Sequence, residues 1–300
     1  MKKHLSVLLA FILTFCVLLP AFAAEAGELS VYSSNKIPSG SMRMTAHRGY
    51  SSVAPENTLP AFRLAGEYGF WGAECDTSPT ADGVWVIMHD DTVDRMTDGE
   101  GKVRDLTWAE ISGLTIDSGS NAEDYPDTKV PTLTEYLDVC KEYCLHPVIE
   151  IKGCATVDDM DSLAELLSAR EEILTFTIIS FSRELLVRIK ELLPEVPAYL
   201  LITVGDDEGS IDFCKANGID GIDFVHVLDD KLIKKVVSSG LYTMSWTVDD
   251  IGSAERLYKL GIRDITTNSL TQLIPDGNIF QELIWWFRDL FAAFKSIFAF

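Results

Sequence analysis

Short apolar runs alternate along the chain with longer segments of helical periodicity. Nine runs rich in β-branched residues predict strands, and they cover Arg43–His47, Gly72–Asp76, Val84–His89, Pro147–Lys152, Thr175–Phe181, Ala198–Val204, Gly221–Val225, Leu241–Val248 and Ile262–Thr267. Apolar residues at helical spacing predict helices between most of them, including Leu59–Tyr68, Leu133–Tyr143, Met160–Ala169, Arg183–Leu192 and Ala254–Leu260. Strands that alternate with helices of this size are typical of parallel βα units.

One connection is too short for a parallel crossover. Only seven residues separate Asp76 from Val84, and Asp82-Gly83 among them is a turn dipeptide. Val84–His89 is therefore predicted to return antiparallel as a ribbon, which leaves eight parallel strands. Eight parallel strands within residues 42–275 predict a (β/α)₈ TIM-type barrel, whose active site lies at the C-terminal ends of the strands.

The stretch from about residue 90 to 130 interrupts this alternation. It has few apolar runs and many Asp, Gly and Ser residues, so we expect an insertion at the barrel rim that walls or caps the pocket. Thr107 and Glu110 have the spacing of a capping box, which predicts one short helix at Thr107–Ile111.

Acidic and imidazole side chains stand at the ends of several apolar runs. They are His47, Glu74, Asp76, His89 and Glu150. Successive strand side chains point to opposite faces, so Glu74 and Asp76 share one face while Cys75 takes the other. Three carboxylates without a sulfur ligand favour one hard divalent cation, Mg²⁺ or Ca²⁺, over zinc. Two histidines, whose ordinary pKa is about 6.5, are suited to move protons.

The short sequence motifs around these residues are as informative as the residues themselves. They read Thr45-Ala46-His47-Arg48-Gly49, Pro55-Glu56-Asn57-Thr58, Ala73-Glu74-Cys75-Asp76, Ala81-Asp82-Gly83, Met88-His89-Asp90 and Ile149-Glu150-Ile151-Lys152. In this order and spacing, from about Met44 to about Thr267, the chain resembles the glycerophosphodiester phosphodiesterase family. The resemblance implies a metal-dependent phosphoric diester hydrolase that releases sn-glycerol 3-phosphate and an alcohol.

The resemblance also implies roles for individual residues. Metal binding falls to Glu74, Asp76 and Glu150, and general acid and base catalysis to His47 and His89. Arg48 and Lys152 would bind the phosphate. Trp246 resembles the family's late tryptophan beside the glycerol, and Phe181 is a second candidate, although core packing explains both residues nearly as well. The sequence leaves open which histidine is the acid, and whether water or the glycerol 2-hydroxyl attacks phosphorus.

Neighbouring residues carry weaker expectations. Asn57 is expected to fix its loop and cap the following helix. Cys75 and the last strand, which ends Thr266-Thr267-Asn268 where the family often has Thr-Asp, depart from the family pattern without removing a catalytic group. His146 and His226 have no motif around them and are expected to be structural or solvent-facing.

Composition limits the partners. The formal net charge is −21, which disfavours nucleic acid, and no Gly-rich phosphate loop or Gly-x-Ser-x-Gly elbow occurs. An acidic surface also slows an anionic diester, so the pocket needs local positive charge from the cation, Arg48 and Lys152. Five cysteines remain beyond Cys16, an odd number from which no disulfide framework follows.

The two ends have compositions of their own. Residues 1–23 read as a secretory signal peptide, and residues 24–41 as a flexible linker, so we expect export to the cell surface or medium. Residues 279–300 form an amphipathic helical pattern. Such a helix either lies in a membrane surface or packs on the barrel or on a second copy of the chain.

Three functions remain open at this stage. The leading hypothesis is hydrolysis of a soluble glycerophosphodiester within lipid and glycerol metabolism. A phospholipase D- or C-type phosphodiesterase acting on intact lipids or lysolipids is the alternative that the amphipathic tail favours. A non-catalytic phospho-ligand or envelope-binding module is the third, but such a module needs no pair of proton-transferring histidines.

Overall fold

The computed structural model describes residues 42–170, 175–206 and 209–271. The predicted signal peptide, the linker and the C-terminal amphipathic helix lie outside the described residues. Within them the strands are β1 (Arg43–Ala46), β2 (Gly72–Pro79), β3 (Trp85–Ile87), β4 (His146–Ile151), β5 (Thr177–Ser180), β6 (Ala198–Ile202), β7 (Gly221–Val225), β8 (Tyr242–Trp246) and β9 (Asp264–Thr267). None of the helices in this part of the chain is long and apolar enough to cross a membrane.

The α-helices of the described ranges follow the strands. They are α1 (Leu59–Glu67), α2 (Trp108–Ile111), α3 (Leu133–Tyr143), α4 (Met160–Ser168), α5 (Arg183–Leu192), α6 (Gly209–Asn217), α7 (Asp230–Ser238) and α8 (Ile251–Lys259). The capping box predicted at Thr107 and Glu110 is present at the start of α2. Helix α8 begins three residues before the predicted Ala254, because the Asp250 side chain caps it by accepting a hydrogen bond from the Ser253 backbone.

Eight parallel strands close into a barrel. The order runs β1-β9-β8-β7-β6-β5-β4-β2, and β1 pairs with β2 to complete the circle. The register at closure pairs Thr45 with Gly72 on β2 and with Thr266 on β9. The predicted TIM-type barrel is therefore confirmed.

Strand β3 forms the predicted antiparallel ribbon. It pairs with the end of β2, where Thr77 lies opposite Ile87 on one edge and Ile151 of β4 on the other. The backbone N–H of Met88 donates to the Asp76 carbonyl at 3.0 Å, which continues this pairing to the residue before His89. The ribbon thus returns His89 to the rim that Asp76 has just reached.

Strand alternation divides the core into two layers. Side chains on one face, such as Cys75 and Ile149, pack in a large cluster with residues of the helices. Side chains on the other face form a small apolar cluster inside the barrel, built from Val148, Ile179, Leu201 and Met244. The polar site lies above that inner cluster, because Glu150 follows Val148 on the same face of β4.

The rim insertion has a small core of its own. Val86 and Met88 of the ribbon pack with apolar residues of the insertion, including Val93, Ile111 and Val130. The sequence shows few apolar runs there because these contacts come from single residues spread over a long loop. The insertion is anchored on the ribbon that carries His89.

Tyr136 ties helix α3 to the barrel wall. Its buried hydroxyl donates to the Ala73 carbonyl of β2 at 2.6 Å and accepts from the Val148 N–H of β4 at 3.2 Å. Both strands carry acidic site residues one or two positions further on. The hydroxyl therefore holds together the two strands that present the carboxylates.

We predict that Tyr136→Phe destabilises the protein by about 1–3 kcal/mol, because two buried backbone groups lose a partner. Urea unfolding measures this free energy. Tyr143→Phe is the matched control, since the Tyr143 hydroxyl donates to an exposed carboxylate, Glu67, at 3.5 Å. Equal stability of both variants would contradict a structural role for the Tyr136 hydroxyl.

Candidate active site

Three carboxylates meet at the C-terminal end of the barrel. Glu74 and Asp76 come from β2 and Glu150 from β4, and Asp76 lies directly opposite Glu150 in the strand register. One oxygen from each carboxylate lies within 4.8 Å of those of the other two. The predicted metal-binding set is thus brought together by strand alternation on one pair of neighbouring strands.

Burial and mutual repulsion perturb these groups. Burial, then the charges of Asp76 and Glu150, raise the pKa of Glu74 well above its usual value. Burial, then the charge of Asp76, raises the pKa of Glu150 to about 7. Burial opposes ionisation of Asp76 too, but Lys152 and Arg48 outweigh it and hold the pKa of this carboxyl below its usual value.

The donor set fits a hard divalent cation. All three side chains offer carboxylate oxygens, the ligands that Mg²⁺ and Ca²⁺ prefer. Glu74 Oε1 is buried and lacks a hydrogen-bond partner among the described residues, whereas Oε2 accepts from the Arg48 N–H at 2.8 Å. A buried carboxylate oxygen without a partner is costly, and a cation would satisfy it. Glu74, Asp76 and Glu150 are the residues that would hold the ion.

Two basic side chains border the carboxylates. Lys152 Nζ donates to Glu150 Oε1 at 2.9 Å and to Asp76 Oδ1 at 3.2 Å. Arg48 Nε lies 3.4 Å from Asp76 Oδ2, and its NH1 donates to Glu56 Oε1 at 2.9 Å. Both predicted phosphate ligands therefore stand beside the candidate cation site.

The loop after β1 is folded tightly to place Arg48. Arg48 and Asn57 both adopt left-handed backbone conformations, with φ of 57° each, and Asn57 N–H donates to the Arg48 carbonyl at 2.9 Å. Gly49 has φ of 76°, and a Cβ there would lie 2.7 Å from Ala61. Only glycine fits both the conformation and the contact.

The expectation that Asn57 caps the next helix is wrong. Thr58 is the N-cap of α1, and its side chain accepts from the Ala61 N–H. Asn57 instead donates through Nδ2 to Asp76 Oδ2 at 2.7 Å and accepts from the Asp76 N–H at 3.3 Å. As expected, Asn57 fixes its loop, through the hydrogen bond from its N–H to the Arg48 carbonyl. Its side chain also orients Asp76, a candidate metal ligand.

His47 directly follows β1 and is held from one side. Its Nδ1 lies 2.8 Å from Asn268 Oδ1. Burial, then the positive charge of Arg48, lowers the pKa of His47, although Asp76 opposes the shift. The imidazole is therefore poised in its neutral form near pH 7.

His89 has a different partner. Its Nδ1 lies 2.7 Å from a carboxylate oxygen of Asp90. Arg95 binds both oxygens of Asp90, at 2.7 and 3.0 Å, and reaches Glu56 Oε1 at 2.7 Å. Since Glu56 also binds Arg48, one chain of ionic hydrogen bonds joins the region of the first histidine to the second.

Sequence reasoning missed this chain of ion pairs. Glu56 and Asp90 lie within the motifs that resemble the family, but the sequence assigned them no role. Arg95 lies in the rim insertion, outside any motif. Only the distances in the folded protein identify Arg95 as the link. His146, in contrast, behaves as expected, because it stacks on Trp71 at 4.4 Å and contacts Thr177, away from the carboxylates.

The two aromatic candidates contact each other at the same end of the barrel. Phe181 directly follows β5 and Trp246 ends β8, and their rings meet edge to face with centroids 5.7 Å apart. Phe181 is 48% exposed, so this ring is available at the mouth of the barrel. Trp246 Nε1 is buried and finds no acceptor in the described part of the chain. A role in substrate binding stays a prediction for both.

A further acid, missed by sequence reasoning, lies inside the barrel. Asp223 of β7 pairs with Leu201 and Met244 in the strand register, and neither of its buried carboxyl oxygens has a partner among the described residues. Burial, then the charges of Glu150 and Asp264, raises its pKa well above the usual value. A lone Asp in an apolar β-branched run gave no signal of this position.

Comparison with known proteins identifies the family. The chain matches the Glycerophosphoryl diester phosphodiesterase family over residues 47–271. The chain belongs to that family, as its sequence motifs predicted. The match contains the three carboxylates and both histidines.

Several curated relatives support the assignment. Glycerophosphodiester phosphodiesterase from Caldanaerobacter subterraneus subsp. tengcongensis is 33% identical over 234 residues, which cover 76% of this chain and 95% of that protein. Glycerophosphodiester phosphodiesterase 1 from Homo sapiens is 46% identical, but over only 111 residues, 37% of this chain and 34% of the human protein. The chain thus matches about a third of the length of the human relative.

Solved structures share the fold. A phosphodiesterase from Oleispira antarctica in complex with the product sn-glycerol-3-phosphate has a TM-score of 0.66 and 27% identity, covering 79% of this chain and 94% of that chain. The glycerophosphodiester phosphodiesterase from Agrobacterium tumefaciens str. C58 has a TM-score of 0.65 and 26% identity, covering 76% of this chain and 96% of that chain.

We predict that divalent cations stabilise the protein more strongly as pH rises. The folded metal-free state holds the Glu150 proton more tightly than the unfolded chain, because its pKa moves from 4.5 to about 7. The stability from this group is present below about pH 4.5 and is lost as pH rises towards 7. A bound cation that replaces the proton restores this stability. At a free concentration of 100 times its Kd, the cation adds about 2.7 kcal/mol to the free energy of unfolding.

Calorimetric melting at pH 5.5 and pH 8, with Mg²⁺ or Ca²⁺ against EDTA, measures this effect. The cation-induced rise in Tm should be larger at pH 8, and Glu150→Gln should reduce it. Glu100→Gln, at an exposed position of the insertion, is the control and should leave the rise unchanged. A rise in Tm that is equal at both pH values and in both variants would contradict a cation site at these carboxylates.

Proposed function

We propose that this protein hydrolyses glycerophosphodiesters to sn-glycerol 3-phosphate and an alcohol, with one bound Mg²⁺ or Ca²⁺. The observation that carries the proposal is the meeting of three carboxylates, two basic side chains and two histidines at the C-terminal rim of the barrel, in a chain of this family. Both imidazoles lie close enough to Asp76 to interact with its charge. That arrangement matches what a phosphodiester requires.

A phosphodiester resists attack for two reasons. Its anionic oxygens repel a nucleophile, and its alkoxide leaving group needs a proton. A bound divalent cation supplies positive charge to the phosphate oxygens. Arg48 contributes a planar pair of donors and Lys152 a point charge, so both can bind further oxygens of the same phosphate.

The partners of the two histidines distinguish their roles in this proposal. His47 has a neutral amide partner, and burial lowers its pKa, so it is available to accept a proton from the nucleophile. His89 has a carboxylate partner in Asp90, which can only accept a hydrogen bond and so keeps a proton on Nδ1 of the ring. We therefore assign the general base to His47 and the general acid to His89.

The aromatic pair is the proposed support for the glycerol. Phe181 and Trp246 lie at the same end of the barrel as the carboxylates, and ring faces and edges pack well against the CH groups of a small polyol. The likeness to the Oleispira phosphodiesterase, described with sn-glycerol-3-phosphate, supports this product for the present chain. The released alcohol would leave on the side of His89.

The acid and base roles predict different responses to the leaving group. His89→Gln should lower kcat on glycerophosphocholine by about 10²–10⁴-fold. It should have a much smaller effect on a p-nitrophenyl glycerophosphodiester, because p-nitrophenolate leaves without a proton. His47→Gln should impair both substrates equally, since the attacking group still needs a base.

Steady-state release of glycerol 3-phosphate or nitrophenol measures these effects, with EDTA and restored Mg²⁺ or Ca²⁺ in parallel. His146→Gln is the matched control, because this histidine lies at the start of β4, away from the carboxylates. Equal losses of the two site variants on both substrates would reject the assigned roles. No release by the folded wild type with either cation would reject the activity.

Export and surface attachment complete the proposal. The charged start, apolar core and small-residue end of residues 1–23 support export. In residues 279–300 the polar residues recur in pairs every seven positions, as one narrow stripe on a helix, and the rest is mainly apolar, with Trp285 and Trp286. This pattern supports contact with a membrane surface. Action on intact lipids is the alternative function that such contact favours.

Removal of residues 279–300 should separate attachment from catalysis. We expect unchanged activity on soluble glycerophosphocholine and loss of co-sedimentation with neutral phosphatidylcholine vesicles. The uncut protein without its first 23 residues is the control. Equal vesicle binding by both forms would reject membrane contact through this segment, and a change in sedimentation velocity would instead indicate self-association.

A further inference from the structure

Asn268 connects His47 to a carboxylate that lies outside the metal-binding set. Its Oδ1 lies 2.8 Å from His47 Nδ1, and its Nδ2 donates to Asp249 Oδ2 at 2.6 Å. The Asn268 backbone N–H donates to Asp249 Oδ1 at 2.7 Å, and so does the Thr267 hydroxyl at 3.0 Å. Asp249, after β8, and Asn268, after β9, thus form a series of hydrogen bonds that ends at the His47 imidazole.

Asp249 fixes the orientation of the Asn268 amide. An ionised carboxylate only accepts hydrogen bonds, so the amide NH₂ must face Asp249. The amide oxygen then faces His47, and it also accepts from the Ser51 hydroxyl at 2.9 Å. The alternative orientation, with oxygen and nitrogen exchanged, would place two acceptors 2.6 Å apart.

The amide orientation in turn determines where the imidazole carries its proton. An amide oxygen cannot donate, so a hydrogen bond at 2.8 Å requires the proton on His47 Nδ1. In the neutral ring Nε2 then has a free lone pair. That is the form in which an imidazole accepts a proton from a nucleophile.

We propose that Asn268, oriented by Asp249, is a positioning residue that holds His47 as the Nδ1–H tautomer and leaves Nε2 free to act as the base. This inference rests on the proposed function for its catalytic consequence, whereas the tautomer itself is a property of the free protein. In this series of hydrogen bonds the negative charge lies on Asp249, which is separated from the ring by the Asn268 amide. Asn268 gives the ring a fixed direction without a directly attached carboxylate.

The charged groups that face His47 set the pH dependence of this arrangement. They are Arg48 on the same loop, Asp76 on β2 and Asp249 beyond the amide. Moving the carboxylate from position 249 to position 268 brings a full negative charge into hydrogen-bond contact with Nδ1. An opposite charge at that distance raises the pKa of an imidazole by about one unit or more.

An exchange of the two side chains therefore tests the proposal. In the double variant Asn268→Asp with Asp249→Asn, the residue-249 amide can still donate to residue 268, and residue 268 can still accept from His47. We expect most of kcat to return, with the acidic limb of the pH profile of kcat/KM moved upward by about one unit. The single variant Asn268→Asp should be less active than the double variant, because it sets two carboxylates against each other.

Loss of the acceptor is the second arm. Asn268→Ala should lower kcat/KM on glycerophosphocholine by about 10- to 100-fold, mainly through kcat, because the ring loses the bond that fixes its tautomer and direction. Asn217→Ala is the matched control, since Asn217 ends helix α6 and its side chain donates to the Phe213 carbonyl at 2.9 Å. This control should keep the wild-type pH profile.

Nitrogen NMR of histidine-labelled protein reads the tautomer without any turnover. At neutral pH, without cation or substrate, His47 should show a protonated Nδ1 and an unprotonated Nε2, and Asn268→Ala should give a mixture. The signal is assigned by its loss in His47→Gln. An Nε2–H tautomer in the wild type, or an unshifted acidic limb in an active double variant, would overturn the proposal. An inactive wild type with the expected tautomer would instead reject the proposed function alone.

Discussion

The mutual repulsion of three crowded carboxylates, two buried and one partly buried, is the constraint on which the site depends. Glu74, Asp76 and Glu150 offer oxygens within 4.8 Å of one another, and like charges at such distances in a poorly solvated place cannot all persist uncompensated. Two of the three groups respond with raised pKa values, and the third stays ionised because Lys152 and Arg48 border it. A divalent cation would supply the charge that the protein leaves uncompensated.

The barrel holds the three carboxylates close together through strand pairing and through hydrogen bonds from Tyr136. Asp76 and Glu150 face each other only because β2 and β4 pair in one register, and the Tyr136 hydroxyl bonds to both strands two or three residues before these acids. Below them the barrel interior is filled by apolar side chains such as Val148 and Met244. Burial of this kind keeps the local dielectric low, which strengthens each charge interaction at the site.

Local patterns predicted those parts of the site that local geometry determines. Strand alternation separated Glu74 and Asp76 from Cys75, and a short connection predicted that β3 returns His89 to the rim. The partner of His47 was not predicted, because closure of the barrel brings it to the site. This partner, Asn268, lies 221 positions along the chain from His47. The capping role expected of Asn57 was wrong because Thr58, the next residue, has the same capping chemistry and the right position.

The two histidines show why such partners decide function. Their side chains are chemically identical, and sequence alone left their roles interchangeable. In the folded protein one Nδ1 contacts an amide oxygen and the other a carboxylate. The first partner is a neutral acceptor, whereas the second is an anionic acceptor that is itself bound by Arg95. The asymmetry that acid and base catalysis needs therefore comes from Asn268 and Asp90, residues that themselves transfer no proton in the proposed reaction.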